Sequence, residues 1–205
     1  MKKGLVAALL VLPTVAMSMG AGVGVSADEA DAPARPIVKQ TNASVEIKGG
    51  TLQLKAVPNL SFNKVTVEDI LTSRQGYVDS RLSDKSQKTI VLSDFRGDSN
   101  GWELSAKLSE LTSRNRGKTN KLNKVQMMLA LRRDGNSSMP LQAGAHTWLD
   151  AGGASQTLLN TDHRHPGAGV GRYTLNPADL RIERQHDVQA GTYTGTVTWM
   201  LASTR

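Results

Sequence analysis

The sequence predicts an all-β chain, an antiparallel β-sandwich (Ig-like or related) with long loops at one end. Three observations predict it. Tyr193, Val197, Trp199 and Leu201 alternate with Thr194, Thr196, Thr198 and Met200, and side chains two apart on extended backbone emerge from one face. Upstream, Trp102, Leu104, Ala106 and Leu108 alternate with Glu103, Ser105, Lys107 and Ser109, with no helical step of three or four. Throughout, short apolar runs are separated by Gly, Asn, Asp and Pro clusters, as in hairpin-connected strands. In both alternating stretches a Trp is followed two positions later by a Leu, so each pair forms one apolar patch. Trp148, the third Trp, has Leu149 directly beside it and lacks the pattern.

The first residues read as an export signal over 1–27. Met1-Lys2-Lys3 is basic, Gly4 to Val25 is apolar and uncharged, and Val25-Ser26-Ala27 places small residues ahead of Asp28. An uncleaved anchor is the rival, since such a run can span a bilayer. Pro13 and Gly20-Ala-Gly-Val-Gly favour cleavage, so membrane contact is expected only through the uncleaved signal. Loss of Lys2 and Lys3 lowers the net charge from +7 to +5. Residues 28–43, with Pro33 and Pro36 and little to bury, are expected to form a flexible linker ahead of a folded domain over 44–205. A secreted chain without cysteine uses no disulfide, thiolate-bound zinc or acylated cysteine. The final strand approaches Arg205 closely enough to leave no room for a sorting motif, so attachment to the cell is expected to be noncovalent.

Ser44 to Ala56 alternates around Gly49-Gly50 and predicts a hairpin. Leu60–Val67, Thr89–Asp94, Val125–Leu131 and Leu180–Ile182 read as further strands, and Pro140 to Pro177 as an excursion across one end. Thr112 to Lys124 is expected to be a loop between core strands. It carries Arg114, Arg116, Lys118, Lys121 and Lys124 with no acidic residue among them. Such a run is either a solvated hairpin tip or a contact for surface polyanions drawn by long-range attraction. No aromatics are interleaved with it, which argues against nucleic acid.

Certain residues together carry a family resemblance. Asp94-x-Arg96-Gly97 leads to Gly101-Trp102-Glu103-Leu104, Tyr193 precedes Trp199-Met200-Leu201, and a Gly-Gly-Thr-Leu opening stands near Leu52. In these features the chain resembles the WxL-domain surface proteins of Gram-positive bacteria, and among them a small WxL protein with little beyond the domain. The resemblance implies noncovalent cell wall attachment through peptidoglycan, often beside partner proteins that form a surface complex. The alternative is a structural or interaction subunit that contacts the wall only indirectly, through a partner protein. Anionic wall polymers are the polyanion that the basic run would meet. Asp162-His-Arg-His-Pro-Gly departs from the family pattern, as does the basic run.

Trp102, Leu104, Trp199 and Leu201 either fill the core or expose an indole that stacks on sugar rings. Asp94 and Arg96 are expected to make a structural contact beside a Gly-rich turn. Arg96-Gly97-Asp98 spells an integrin-binding tripeptide and is read as part of that turn. His163 and His165 lie near Asp162 without a third ligand at a diagnostic spacing, so no metal is expected. Gly167-Ala-Gly-Val-Gly171 lacks the strand and helix context of a dinucleotide site, and no cofactor is expected. No G-x-S-x-G, H-E-x-x-H or phosphate loop is present, which favours a binding module over an enzyme.

Overall fold

The computed structural model describes residues 39, 41–83, 88–115, 117–135, 137, 139, 146–161 and 167–204. Among them the elements run β1 (Leu52–Ala56), α1 (Val67–Thr72), β2 (Tyr77–Arg81), β3 (Thr89–Asp94), β4 (Gly101–Leu108) and β5 (Leu111–Asn115). There follow β6 (Lys118–Leu122), β7 (Val125–Arg133), β8 (Thr147–Asp150), β9 (Gln156–Asn160), β10 (Gly169–Glu183) and β11 (Val197–Thr204). All named strand pairs are antiparallel. The chain is an antiparallel all-β sandwich, as the alternation predicts.

The larger sheet has the order β1-β3-β10-β7-β8, with β2 also paired to β10. The smaller has the order β11-β4-β9, and β5-β6 is a separate hairpin. Strand β4 supplies Trp102, Leu104, Ala106 and Leu108 to the core, each no more than 2% exposed. Ile90 and Leu92 of β3, Tyr173 and Leu175 of β10, Leu129 of β7 and Leu149 of β8 join the same apolar cluster. Tyr173 is so enclosed that burial pushes its phenol up to about 12.

Several expectations need correction. Gly49-Gly50 is not a hairpin turn: residues 44–51 form no strand, and β1 pairs with β3 instead. The alternating Val45 and Ile47 are 84% and 88% exposed, so that pattern finds no face to bury. Leu60–Val67 is not a continuous strand. It keeps one isolated bridge, Phe62 to Leu82, before the chain turns into α1. There the Thr66 hydroxyl accepts from the Asp69 amide while the Asp69 carboxylate accepts from the Thr66 amide, a reciprocal cap that starts a helix.

The basic run is not a loop but the β5-β6 hairpin, turning at Gly117 with φ +79. Nor is Pro140–Pro177 a plain excursion, because it contains β8, β9 and the first part of β10. Leu180–Ile182 belongs to a strand of 15 residues. The register of β10 against β7 shifts between Leu175 and Ala178, where Pro177 has no amide to give to a ladder. No described helix is long and apolar enough to cross a membrane.

Candidate functional site

The two W-x-L triplets lie side by side. β11 pairs with β4 so that Leu201 faces Leu104, Trp199 faces Ala106 and Trp102 faces Ser203. Directly opposed residues share a sheet face, so both tryptophans and both leucines stand on one side. Each Trp is opposed by a small residue, which leaves room for an indole. The outward positions Thr198 and Met200 are exposed, as the alternation predicts.

Burial separates the two triplets. Trp102 and Leu104 are fully buried, whereas Trp199 and Leu201 are half-buried at the rim of the core. Trp102 Nε1 donates to the Gly167 carbonyl at 3.4 Å, and its backbone amide donates to Thr161 Oγ1 at 3.0 Å. Trp199 borders an open slot with Leu54, Lys55, Ala56 and Val57. Tyr193 donates from its hydroxyl to the Gln189 carbonyl at 3.0 Å and lines a cleft of about 840 Å³ between residues 60–67 and 188–197.

Asp94 and Arg96 form a clamp at the end of this ladder. The Arg96 guanidinium donates from Nε to Asp94 Oδ1 at 2.9 Å and from Nη2 to Asp94 Oδ2 at 2.7 Å, the forked pairing that arginine geometry favours. It also donates to the carbonyls of Asn100 and Gly101 and to the Ser203 hydroxyl. One side chain therefore ties the end of β3 to the start of β4 and the end of β11. Burial works to raise the Asp94 carboxyl. The Arg96 hydrogen bonds and charge outweigh it and hold the carboxyl below its ordinary value. The Asp94 hydrogen bonds in turn raise Arg96 against its own desolvation. With this side chain only 14% exposed, Arg96-Gly97-Asp98 is a turn whose arginine faces inward.

Glycine makes the clamp possible. Gly50 donates its amide to the Phe95 carbonyl, and a Cβ on Gly49 would lie 2.1 Å from the Arg96 carbonyl oxygen. The Gly-Gly-Thr-Leu opening, the Asp-x-Arg-Gly segment, the start of β4 at Gly101 and the end of β11 at Ser203 thus meet around one corner, at one end of the ladder that carries both W-x-L triplets. The WxL family model, described as a surface cell wall-binding domain, matches residues 21–204. The chain belongs to the WxL domain family. No curated protein and no solved structure matches it.

As a member of the WxL family the chain is a cell-surface, cell wall-binding protein. In this WxL domain the described residues of the basic run do not form one patch. Arg114 and Lys118 are exposed on opposite faces of the β5-β6 hairpin, Lys121 is paired with Glu110, and Lys124 lies 3.7 Å from Glu183. Arg116 lies outside the described residues, as do Asp162, His163 and His165. Among the described residues no group of His, Asp and Glu is placed to hold a metal ion. Thr161 and Ser203 belong to this corner without any mark in the sequence pattern. Their only signal is proximity across the fold, which no local pattern carries.

Proposed function

We propose that this WxL protein attaches noncovalently to the Gram-positive wall by binding peptidoglycan directly. It would reach the wall after cleavage of an export signal over 1–27, with 28–43 as a linker and 44–205 as the domain. The family match over nearly the whole chain carries this reading. Binding, rather than catalysis, is the activity. Because Trp102 and Leu104 have no exposed surface, they support the wall contact without touching it. Trp199 and Leu201, half-buried beside the edge of β1, are the part of the motif that can reach a ligand. Arg114 and Lys118, with Arg116, add attraction to anionic wall polymers.

The test is retention on purified sacculi, with and without teichoic acid, across a salt series. Direct binding persists on sacculi stripped of protein and polymer, and the polymer contribution weakens as salt rises. Retention that requires a second surface protein would replace direct binding with the other reading, in which this chain is a subunit of a surface complex. That reading draws on β11, which ends the smaller sheet and presents the exposed Met200.

A further inference from the structure

The tryptophan outside the motif is the most exposed of the three. Trp148 is 37% exposed on β8, while Leu149 beside it points into the core at 0%. It stands on the outer face of the larger sheet, where register aligns Asp179, Met128 and Trp148 across β10, β7 and β8. Met128, in the middle of that row, is only 8% exposed.

Arg181 fixes this indole. Its guanidinium carbon lies 4.8 Å from the centre of the Trp148 ring and 3.8 Å from that of Tyr77, so one cation serves two aromatic faces. Asp79 holds the same guanidinium by two hydrogen bonds, at 2.8 and 2.9 Å. In the adjacent row Gln126 faces Arg181 on one side and Asp150 on the other, donating to the Asp150 carboxylate at 2.8 Å. Asp79, Arg181, Gln126 and Asp150 thus form a continuous row over three strand spacings, about 14 Å.

The charge on this face selects the class of ligand. Over the outward positions of these two rows three acids (Asp79, Asp150 and Asp179) stand against two bases (Arg81 and Arg181), in a chain whose net charge is +7. A polyanion finds no surplus of positive charge in these two rows. A neutral pyranose chain finds what it needs, because a sugar ring offers a C–H-rich face to an aromatic side chain and hydroxyls to planar carboxylate, amide and guanidinium groups. The indole is also held in place before binding, which lowers the entropic cost of association.

We propose that the outer face built from Trp148, Arg181, Tyr77, Gln126 and Asp150 is a platform for a neutral glycan strand. It rests on the wall-binding reading and narrows it to the sugar backbone of the wall, at a surface separate from the W-x-L ladder.

The test titrates soluble chito-oligosaccharide, cello-oligosaccharide and poly(glycerol phosphate) into the full chain by calorimetry, with sacculus retention measured in parallel. Expected is binding of at least one neutral oligosaccharide, a loss of tenfold or more in affinity for Trp148→Ala, and near-native affinity for Trp148→Tyr. Should Trp148→Ala fail to fold by circular dichroism, the pair Gln126→Ala and Asp150→Ala, at the sheet surface, is expected to show the same loss. Wild-type retention on sacculi without oligosaccharide binding, or unchanged affinity in the variants, overturns the platform and leaves wall attachment standing. Absence of both overturns the wall-binding reading itself.

Discussion

Leu201 sits directly opposite Leu104 across the β4-β11 ladder, and each is flanked along its own strand by the Trp of its triplet. The motif is therefore one antiparallel unit made of two distant segments. Leu104→Ala and Leu201→Ala are expected to be non-additive, with a coupling of about 0.5–3 kcal/mol in a double-mutant cycle. Urea titration of the four proteins measures it, and strict additivity would mean that the opposed leucines do not pack on each other.

Trp102 and Trp199 share a face but not an environment. Trp102→Ala empties a fully enclosed site and is expected to cost about 3–5 kcal/mol, a large part of the roughly 5–15 kcal/mol that holds a domain together. Trp199→Ala, at the half-buried rim, is expected to cost about half as much and to leave a folded protein with weakened sacculus retention. Equal destabilisation by the two substitutions would place Trp199 in the core with Trp102.

The Asp94–Arg96 clamp makes stability depend on acidity. The folded pKa of Asp94 lies below its ordinary value of 3.8, so the stabilisation is fully present above that value and is lost as pH falls through the lower folded value. Asp94→Asn is expected to lower the melting temperature at neutral pH, by about 3 kcal/mol of stability where a buried partner is removed, and to flatten the acid limb. A thermal melt series from about pH 7 to pH 2 reads both effects. An acid limb as steep in the variant as in the wild type would assign it to other carboxylates.

Gly101 and Gly117 separate two reasons for glycine. A Cβ on Gly101 would meet the Thr161 carbonyl oxygen at 2.2 Å, so Gly101→Ala forces β4 away from its neighbour at a cost of about 1–3 kcal/mol. Gly117 has open space but a φ of +79, so Gly117→Ala costs only about 1–2 kcal/mol of backbone strain. Denaturant midpoints are expected to fall in that order.

The hairpin cations divide by partner. Arg114→Ala with Lys118→Ala is expected to reduce binding to poly(glycerol phosphate) and to flatten its salt dependence. Lys121→Ala with Lys124→Ala is expected to do less, since Glu110 and Glu183 already balance those charges. Binding measured from low to high salt decides between them, and equal losses from both pairs would make net charge, not position, the determinant.

Strands β3, β4, β7 and β11 were legible in the sequence because each carries enough apolar residues to show a period of two or a continuous buried run. Strands β8 and β9 were not, since four or five residues with a few apolar side chains look like loop. The helix α1 has six residues, too few for a helical repeat to register, although the Thr66 and Asp69 spacing marks its start. The W-x-L faces were legible singly, but their opposition was not, because register is fixed by pairing between segments far apart in the chain. Trp148 stands in no motif, and its contact with Arg181, 33 positions away, is set by strand pairing that no local pattern carries.

The grip of Arg96 on Ser203 spans 107 positions. A polypeptide threaded through a membrane with its amino end leading would have β4 outside long before β11 arrives to cover its edge. Until residue 203 emerges, that sheet lacks its outer strand and the guanidinium lacks one of its anchors. In a chain that emerges in this order, the corner locks only when β11 reaches β4, so the contact that secures the sheet edge also sets the order in which it closes.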